Sequence, residues 1–157
     1  MKLIKKITIG LLLLFIGMQF YRPEKNMNRG DHSKVFKTET NPTEQVSSIL
    51  ESACYDCHSN NTQYPWYNNI APISYWMADH IKEGKGELNF SEWSNYSNKK
   101  KDHKLEEIIE VLDEEEMPLN EYTWTHKEAK LTQVQKNAVI EWVKKSRILY
   151  QLNQQPK

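Results

Sequence analysis

Two cysteines followed by a histidine are the residues of this chain with the clearest chemistry. Cys54, Cys57 and His58 stand in the order Cys-x-x-Cys-His, and the chain contains no other cysteine. Two thiols with this spacing can each add to one of the two vinyl groups along a haem edge, and the adjacent imidazole can bind the iron. The spacing therefore predicts one covalently attached c-type haem, with His58 as the proximal iron ligand.

Three other interpretations of the cysteine pair stay open. A reactive dithiol of the thioredoxin type would follow a strand and open a helix, whereas this pair follows a helical pattern. A zinc site would need a second pair of ligands, and the remaining histidines are scattered singly. A disulfide between Cys54 and Cys57 would close a very small loop and restrain the chain little. The motif favours haem attachment over these three.

A haem iron held by His58 has a sixth coordination position, and Met117 is its predicted ligand. Pro118 follows it, fixes its own backbone φ and removes a backbone donor, so the loop can hold the sulfur in an extended segment. A thioether ligand raises the reduction potential and suits electron transfer, a second imidazole lowers it, and an open position permits ligand binding or peroxide chemistry. The other candidates are Met77, His80, His103 and His126.

These other candidates have simpler interpretations. Met77 is expected to pack in the core, and His80 to be a hydrogen-bonded wall residue. Two roles are left open for His126, pairing with a haem propionate and capping the last helix. His32 and His103 are expected to be solvated. The chain is also rich in aromatic residues, with 5 Trp and 8 Tyr. Four of them are predicted to form walls of the haem site: Trp66, Tyr67, Trp76 and Trp93.

The segments that position these residues are predicted to be helices. Asn41-Pro42-Thr43-Glu44 predicts a helix start that leads directly into Cys54, with Asn41 as the cap. Further helices are predicted from about 71 to a stop at Gly84, from about 101 to 112, and from a capping box at Thr132. The last of these is expected to carry its apolar side chains on one face: Val134, Ala138, Val139, Trp142 and Val143. Asn89 is predicted to cap a short turn. No segment shows a convincing alternation of apolar and polar residues, which is the pattern of a β-strand. The predicted class is therefore mostly α.

The N-terminus predicts export. Lys2, Lys5 and Lys6 precede an apolar run from Ile7 to Phe20, as in a signal sequence. At about 1.5 Å per residue this run spans roughly 20 Å, which is short of the ~30 Å hydrocarbon core of a bilayer. No small-residue cleavage site follows, which favours an uncleaved anchor over a cleaved signal peptide. Haem attachment to this motif takes place outside the bacterial cytoplasmic membrane, so the prediction is an inner-membrane protein whose domain faces the periplasm.

The rest of the chain is long enough for one domain. We expect a signal anchor or signal peptide over 1–21, a polar linker over 22–40, a haem-binding domain over 41–150 and a polar tail over 151–157. The formal net charge is +0, with 21 basic and 21 acidic residues, which argues against a nucleic-acid-binding protein. Four lysines (99, 100, 101 and 104) and seven carboxylates between 106 and 116 form two charge clusters. These are either solvated faces or a docking surface for a redox partner protein.

The order of these features resembles that of small single-haem cytochromes c, in which the first and last helices pack against each other beside the haem. A narrower resemblance is to the bacterial haem-binding domain family. It rests on the segments 54–60, 64–67, 70–72, 84–93, 117–118 and 126–131, together with Trp142. It covers about 42–142 and implies a c-type haem, without implying a particular reaction.

Together these features predict a small cytochrome c-like helical domain around one covalent haem c, preceded by a hydrophobic anchor. The predicted function is single-electron transfer by a periplasmic, membrane-anchored cytochrome with His58 and Met117 as axial ligands, rather than catalysis. Two alternatives stay open. One is a haem enzyme or sensor domain, such as a peroxidase-associated domain, with an open sixth position. The other is a non-haem adaptor that uses the cysteine pair for zinc or a disulfide.

Overall fold

Helices form most of the chain. The computed structural model describes residues 2–28, 30 and 33–152, and within them it contains eight α-helices. They are α1 Lys2–Met18, α2 Lys34–Thr40, α3 Glu44–Ala53, α4 Tyr55–His58, α5 Ile73–Glu87, α6 Asn98–Asp113, α7 Asn120–Thr125 and α8 Gln133–Leu152. Short 3-10 turns cover Trp66–Asn69, Phe90–Asn95 and Lys127–Ala129. In the described ranges the β structure is one isolated bridge between Met27 and Asn61, so the predicted mostly α class is confirmed.

The core lies around α8. This helix packs along α6 and also contacts α3, so the helix before the cysteine motif and the last helix meet as predicted. Its start is the predicted capping box: the Thr132 N–H donates to Gln135 Oε1 at 2.9 Å, and the Gln135 N–H donates to Thr132 Oγ1 at 3.3 Å. The buried apolar side chains are Phe36, Val46, Ile49, Leu50, Leu88, Phe90, Trp93, Leu105, Leu112, Val139, Ile140, Trp142, Val143 and Tyr150.

The predicted polar linker over 22–40 is wrong for its second half. Residues 34–40 form α2, whose Phe36 is fully buried against Phe90, Trp93 and Trp142. The Trp142 Nε1–H also donates to the Thr40 carbonyl at 2.9 Å. The two apolar residues of this segment, Val35 and Phe36, are adjacent and have no apolar partner three or four residues away. The sequence therefore shows no helical period here, and only the tertiary packing reveals that the segment belongs to the domain.

Four local predictions also need correction. Asn41 is the left-handed C-cap of α2, and Thr43 instead caps α3 by accepting the Val46 N–H at 3.2 Å. Helix α5 continues past Gly84 to Glu87, and α7 was not predicted. Val134, expected on the buried face of α8, is 71% exposed. The Asn89 cap is confirmed, since its side chain accepts the Ser91 N–H at 3.0 Å.

The two charge clusters both lie mainly on α6. Lys101 is buried, contrary to a solvated face, and its ammonium group pairs with Glu39 at 2.7 Å. Lys104 pairs with Glu107 at 2.6 Å. Lys100 lies over the Tyr96 ring at 4.2 Å from its centroid. Lys101 therefore fastens α6 to α2, whereas Lys104 pairs within α6. Three of the four lysines are already in contact with other side chains, which limits their availability for a partner.

Helix α1 buries none of its residues. Its C-terminal end contacts the rest of the chain: the Gln19 side chain donates to the Ala71 carbonyl at 3.1 Å and accepts the Ala71 N–H at 3.0 Å. The Tyr75 hydroxyl donates to the Met18 carbonyl. Among the helices that the structure describes, none is both long enough and apolar enough to cross a membrane.

Candidate haem site

The Cys-x-x-Cys-His segment forms a tight turn at the end of α3. Cys54 leaves the helical conformation at φ −124° and ψ −43°, while its N–H still donates to the Leu50 carbonyl at 3.0 Å. Residues 55–58 then complete one helical turn, in which the His58 N–H donates to the Cys54 carbonyl at 2.9 Å. The backbone of this turn therefore brings both thiols and the imidazole together within one short segment.

Helix α5 supports the turn from one side, and Gly84 is the point of closest approach. A Cβ atom at Gly84 would lie 3.0 Å from the Cys57 carbonyl oxygen and 3.1 Å from the Cys57 Cβ. Real Cβ contacts are rarely that short, so a side chain here would force the two helices apart. The glycine that the sequence suggested as a helix stop is instead a packing position under the second cysteine.

We expect Gly84→Ala to destabilise the protein by about 1–3 kcal/mol, because the added methyl group presses on the Cys57 backbone. Gly86→Ala is the matched control: it lies in the same helix, and a methyl group there would have no other atom within 4 Å. Alanine at this position should stabilise the helix by about 0.5–1 kcal/mol. Denaturant unfolding measures both. Equal effects of the two substitutions would contradict the packing role of Gly84.

The His58 ring is oriented by the backbone after α5. Its Nδ1 lies 3.0 Å from the Leu88 carbonyl oxygen, which can only accept, so Nδ1 carries the proton. Burial lowers the pKa of His58, and the hydrogen bonds to the Leu88 and Gly84 carbonyls oppose this only in part. The imidazole is therefore neutral and leaves Nε2 with a lone pair. A backbone carbonyl that fixes the tautomer in this way is the usual arrangement behind a metal-binding histidine.

A cavity of about 330 Å³ joins three of the predicted site residues. Cys54, His58 and Met117 all line it, although Met117 comes from the loop between α6 and α7. Most of the remaining wall is apolar and comes from α3, α6, α8 and the segment after α5: Ile49, Leu50, Ala53, Leu88, Phe90, Ile108, Val111, Leu112, Pro118, Leu131 and Val139. Charged residues also border it: Lys104 adds one cationic group, and the carboxylates come from Glu87, Glu107, Glu110 and Glu116.

A second cavity of about 500 Å³ lies on the side of Cys57. Tyr67 and Trp76 line it, as do Met77 and His80, so these two predicted aromatic walls lie at the cysteine motif. The His80 Nδ1 bonds to the Trp76 carbonyl at 2.9 Å, in line with the expected hydrogen-bonded wall residue. The site thus consists of two adjoining cavities, one bordered by Cys54 and His58 and the other by Cys57.

The other two predicted aromatic walls lie elsewhere. Trp93 is fully buried in the core, where its Nε1–H donates to the Tyr150 hydroxyl at 3.0 Å, and it lines neither cavity. Trp66 is 76% exposed and stands against Tyr67, with ring centroids 5.8 Å apart. The structure therefore gives no support to Trp93 or Trp66 as walls of the site.

The comparison with known families decides what kind of domain carries this site. The family model described as a haem-binding domain matches residues 13–145, which is most of the chain. The chain belongs to the haem-binding domain family. No curated protein and no solved structure matches it significantly.

The donor set of this haem-binding domain fits the cofactor. Burial raises the pKa of Cys54 to about 12, and burial with the nearby Asp56 carboxylate raises the pKa of Cys57 to about 11. Both thiols are therefore protonated at neutral pH, whereas the attacking thiol of a reactive dithiol has a lowered pKa. No group of three or more His, Cys, Asp or Glu side chains that could hold a metal ion occurs in the described part of the chain. Zinc therefore lacks a ligand set there.

Asp56, between the two cysteines, makes contacts at the site that the sequence did not reveal. Its carboxylate accepts the Tyr122 hydroxyl at 2.8 Å and the Gln63 N–H at 2.9 Å, and its carbonyl accepts the Thr62 hydroxyl at 2.5 Å. These bonds tie the motif to the loop after it and to α7. Burial, followed by the Asp56 charge, raises the pKa of Tyr122, so the phenol stays protonated and keeps donating.

His126 and His103 do not line the cavity that Met117 lines. His126 is the C-cap of α7 and stacks on Tyr122, with ring centroids 4.1 Å apart, and it lines the larger cavity. His103 is exposed and lies 3.1 Å from Glu107. His32 lies outside the described residues. Of the candidates for the sixth position, Met117 is the one that shares a cavity with His58.

Proposed function

We propose that this haem-binding domain is a c-type cytochrome that carries single electrons, with one haem attached through Cys54 and Cys57. The observation that carries the proposal is the cavity that His58 shares with Met117 and Cys54. A nitrogen and a thioether sulfur supplied by separate segments are the axial pair of electron-transfer cytochromes c. Haem iron, when bound, supplies a one-electron Fe(II)/Fe(III) couple.

The chain's own residues would define the environment of that couple. Cys54 and Cys57 border different cavities, so a haem joined to both would lie where the cavities meet at the turn. The Leu88 carbonyl holds the His58 Nδ1–H and aims the other nitrogen, and Met117 would supply the sixth ligand. The mostly apolar side chains of the walls would surround the iron with little polar material, which favours the less charged ferrous state.

Lys104 is the residue best placed to bind a propionate. It lies on the wall of the smaller cavity, and only 12% of its side chain is exposed. Its ammonium group already pairs with Glu107 and lies 3.9 Å from Glu87. A propionate at this position would replace or share one of these carboxylates, because a single ammonium group has three hydrogen-bond donors.

We further propose that the domain works outside the bacterial cytoplasmic membrane and is held to it by α1. The support is the basic start of the chain, the exposed apolar surface of α1 and a haem motif whose cysteines are modified after export. Electrons would pass to or from a redox partner protein. The lysine cluster is a poor docking surface for this partner, because the ammonium groups of Lys101 and Lys104 are already paired with carboxylates.

The visible spectrum with carbon monoxide tests the proposed function. The full chain, produced together with the bacterial haem-attachment machinery, should give a six-coordinate low-spin spectrum in both oxidation states and bind carbon monoxide slowly. A five-coordinate high-spin spectrum with rapid carbon monoxide binding would instead assign a haem enzyme or sensor. The absence of a Soret band would leave the non-haem adaptor.

A further inference from the structure

Helix α7 has little packing to hold it in place. It is only six residues long, Asn120–Thr125, and none of its residues is buried. Isolated helices shorter than about 12–15 residues are barely stable in water, and most helices in proteins depend on the packing of an apolar face. The position of α7 in the domain therefore depends on a few specific contacts.

Side-chain hydrogen bonds join α7 to the haem site. The Tyr122 hydroxyl donates to the Asp56 carboxylate at 2.8 Å, and the Tyr67 hydroxyl donates to Thr125 Oγ1, also at 2.8 Å. The bond to Asp56 is partly buried and has an anionic acceptor, whereas the bond to Thr125 is exposed and neutral. Hydrogen bonds to charged groups are roughly twice as strong as neutral ones, so the bond to Asp56 contributes more to the position of α7.

Asp56 is itself held firmly, because it belongs to the cysteine motif. Its second carboxylate oxygen accepts the Gln63 N–H at 2.9 Å, and its carbonyl accepts the Thr62 hydroxyl. Both of these partners lie in the loop that follows the motif. The Tyr122 bond therefore fixes α7 directly to the turn that carries the two haem-attachment thiols.

The chain between α7 and Met117 is short and stiff. Leu119 is the N-cap of α7, so only Pro118 lies between it and Met117. Proline fixes its own φ, which leaves this link few conformations. On the other side, the Met117 N–H donates to the Val111 carbonyl at 3.1 Å, near the end of α6. Met117 is therefore held between α6 and α7, and a shift of α7 would move it.

We propose that the hydrogen bond from Tyr122 to Asp56 positions Met117 as the sixth iron ligand and so keeps the site closed to external ligands. Tyr122 would act as a positioning residue, because it lines the larger cavity whereas Met117 lines the smaller one. The inference rests on the proposed ligation by Met117. It assigns to one hydrogen bond the choice between an electron carrier and a haem protein that binds external ligands.

One such bond is strong enough to have this effect. A hydrogen bond to a charged group changes an equilibrium by about 10- to 100-fold. An external ligand binds only to molecules in which Met117 has left the sixth position, so its apparent affinity follows the fraction of such molecules. Loss of the Tyr122 bond should therefore raise that affinity by about the same factor.

Imidazole binding to the haem-loaded full chain tests the inference. Imidazole displaces a methionine from ferric haem, and the loss of the charge-transfer band near the red end of the visible spectrum reports the displacement. We expect Tyr122→Phe to bind imidazole at least about 10-fold more tightly than the wild type does. An unchanged affinity in this variant would overturn the inference, and if the wild type shows the band, the proposed ligation by Met117 would stand.

Tyr150→Phe is the matched control. It removes a bond of the same kind, since the Tyr150 hydroxyl donates to the Glu39 carboxylate at 2.9 Å, but Tyr150 lines neither cavity. This variant should unfold at a lower denaturant concentration and bind imidazole with the wild-type affinity. An equal rise in imidazole affinity in Tyr150→Phe would overturn the inference, because lower stability alone would then explain the effect.

A double-mutant cycle tests whether Tyr122 acts through Asp56. Asp56→Ala removes the same bond, so adding Tyr122→Phe to it should raise the imidazole affinity no further. Effects that multiply would show that Tyr122 acts by another route, and the inference would be wrong. A wild type that lacks the charge-transfer band and binds imidazole as tightly as Met117→Ala does would overturn both the inference and the proposed axial pair.

Discussion

Replacing Met117 with alanine is expected to remove the sixth iron ligand and convert the haem from low spin to high spin. The side chain lines the same cavity as His58, and no other methionine among the described residues lines it. A thioether stabilises ferrous iron more than water does, so the reduction potential should fall. Axial ligands set haem potentials over about 0.8 V, and a change on the order of 0.1 V is therefore expected. A redox titration followed in the visible spectrum measures both effects.

Met77→Ala is the matched control. Met77 is also half-buried, but it lines the larger cavity on the side of Cys57. Its removal should cost about 2 kcal/mol of stability and leave the spin state and the potential unchanged. If Met77→Ala changes the spectrum while Met117→Ala does not, the sixth ligand comes from the larger cavity. A high-spin spectrum from His80→Ala or His126→Ala would similarly assign an imidazole.

The double variant Cys54→Ala/Cys57→Ala is expected to lose the haem and most of the cooperative stability of the domain. The haem would cover the apolar walls that α3, α6 and α8 contribute to the site, and burial of apolar surface is the main favourable contribution to folding. A typical domain is stable by only about 5–15 kcal/mol, so exposing these walls to water should remove much of that stability. Circular dichroism should show reduced helix content and a broad thermal transition.

Wild-type chain produced without the haem-attachment machinery is the control for this variant. It keeps both thiols, so it separates the loss of haem from the loss of the cysteine side chains themselves. Both proteins should melt broadly and at a similar temperature. A sharp transition in either protein, close to that of the haem-loaded wild type, would mean that the core of α3, α6 and α8 is sufficient and that the haem is peripheral.

Local sequence signals predicted the features that depend on neighbouring residues. The capping box at Thr132, the cap at Asn89 and the helix that leads into Cys54 each require only a few adjacent side chains, and all three occur. Predictions that required knowledge of distant partners were less successful. Phe36 has no apolar neighbour at helical spacing, and only its burial against Trp93 and Trp142 shows that the predicted linker is part of the core.

Gly84 shows why a local signal can also mislead. Glycine commonly ends a helix, because it adopts the left-handed conformation at no steric cost. Here it lies inside α5, where the absence of a side chain allows the helix to approach Cys57. The sequence around the glycine does not distinguish these two uses, since the deciding contact comes from a different helix.

The aromatic residues of the site raise the same difficulty. Trp76 lines a cavity while Trp93 fills the core, and both rings are amphipathic and lie close to the motif in sequence. The hydrogen bond from Tyr122 to Asp56 was equally hidden, because it joins α7 to the cysteine motif across a long stretch of chain. A hint for Asp56 in the sequence was its position between the two cysteines, where any side chain lies next to the attachment points.

Intact-mass analysis after acid–acetone extraction tests the central claim, covalent haem at Cys54 and Cys57, most directly. The measurement uses the full chain produced with the haem-attachment machinery. Thioether bonds survive the extraction, so we expect the mass of the chain plus one haem, with both cysteines blocked against alkylation. A chain of unmodified mass with two alkylatable thiols, and haem recovered in the acetone, would contradict the covalent attachment on which the proposed function rests.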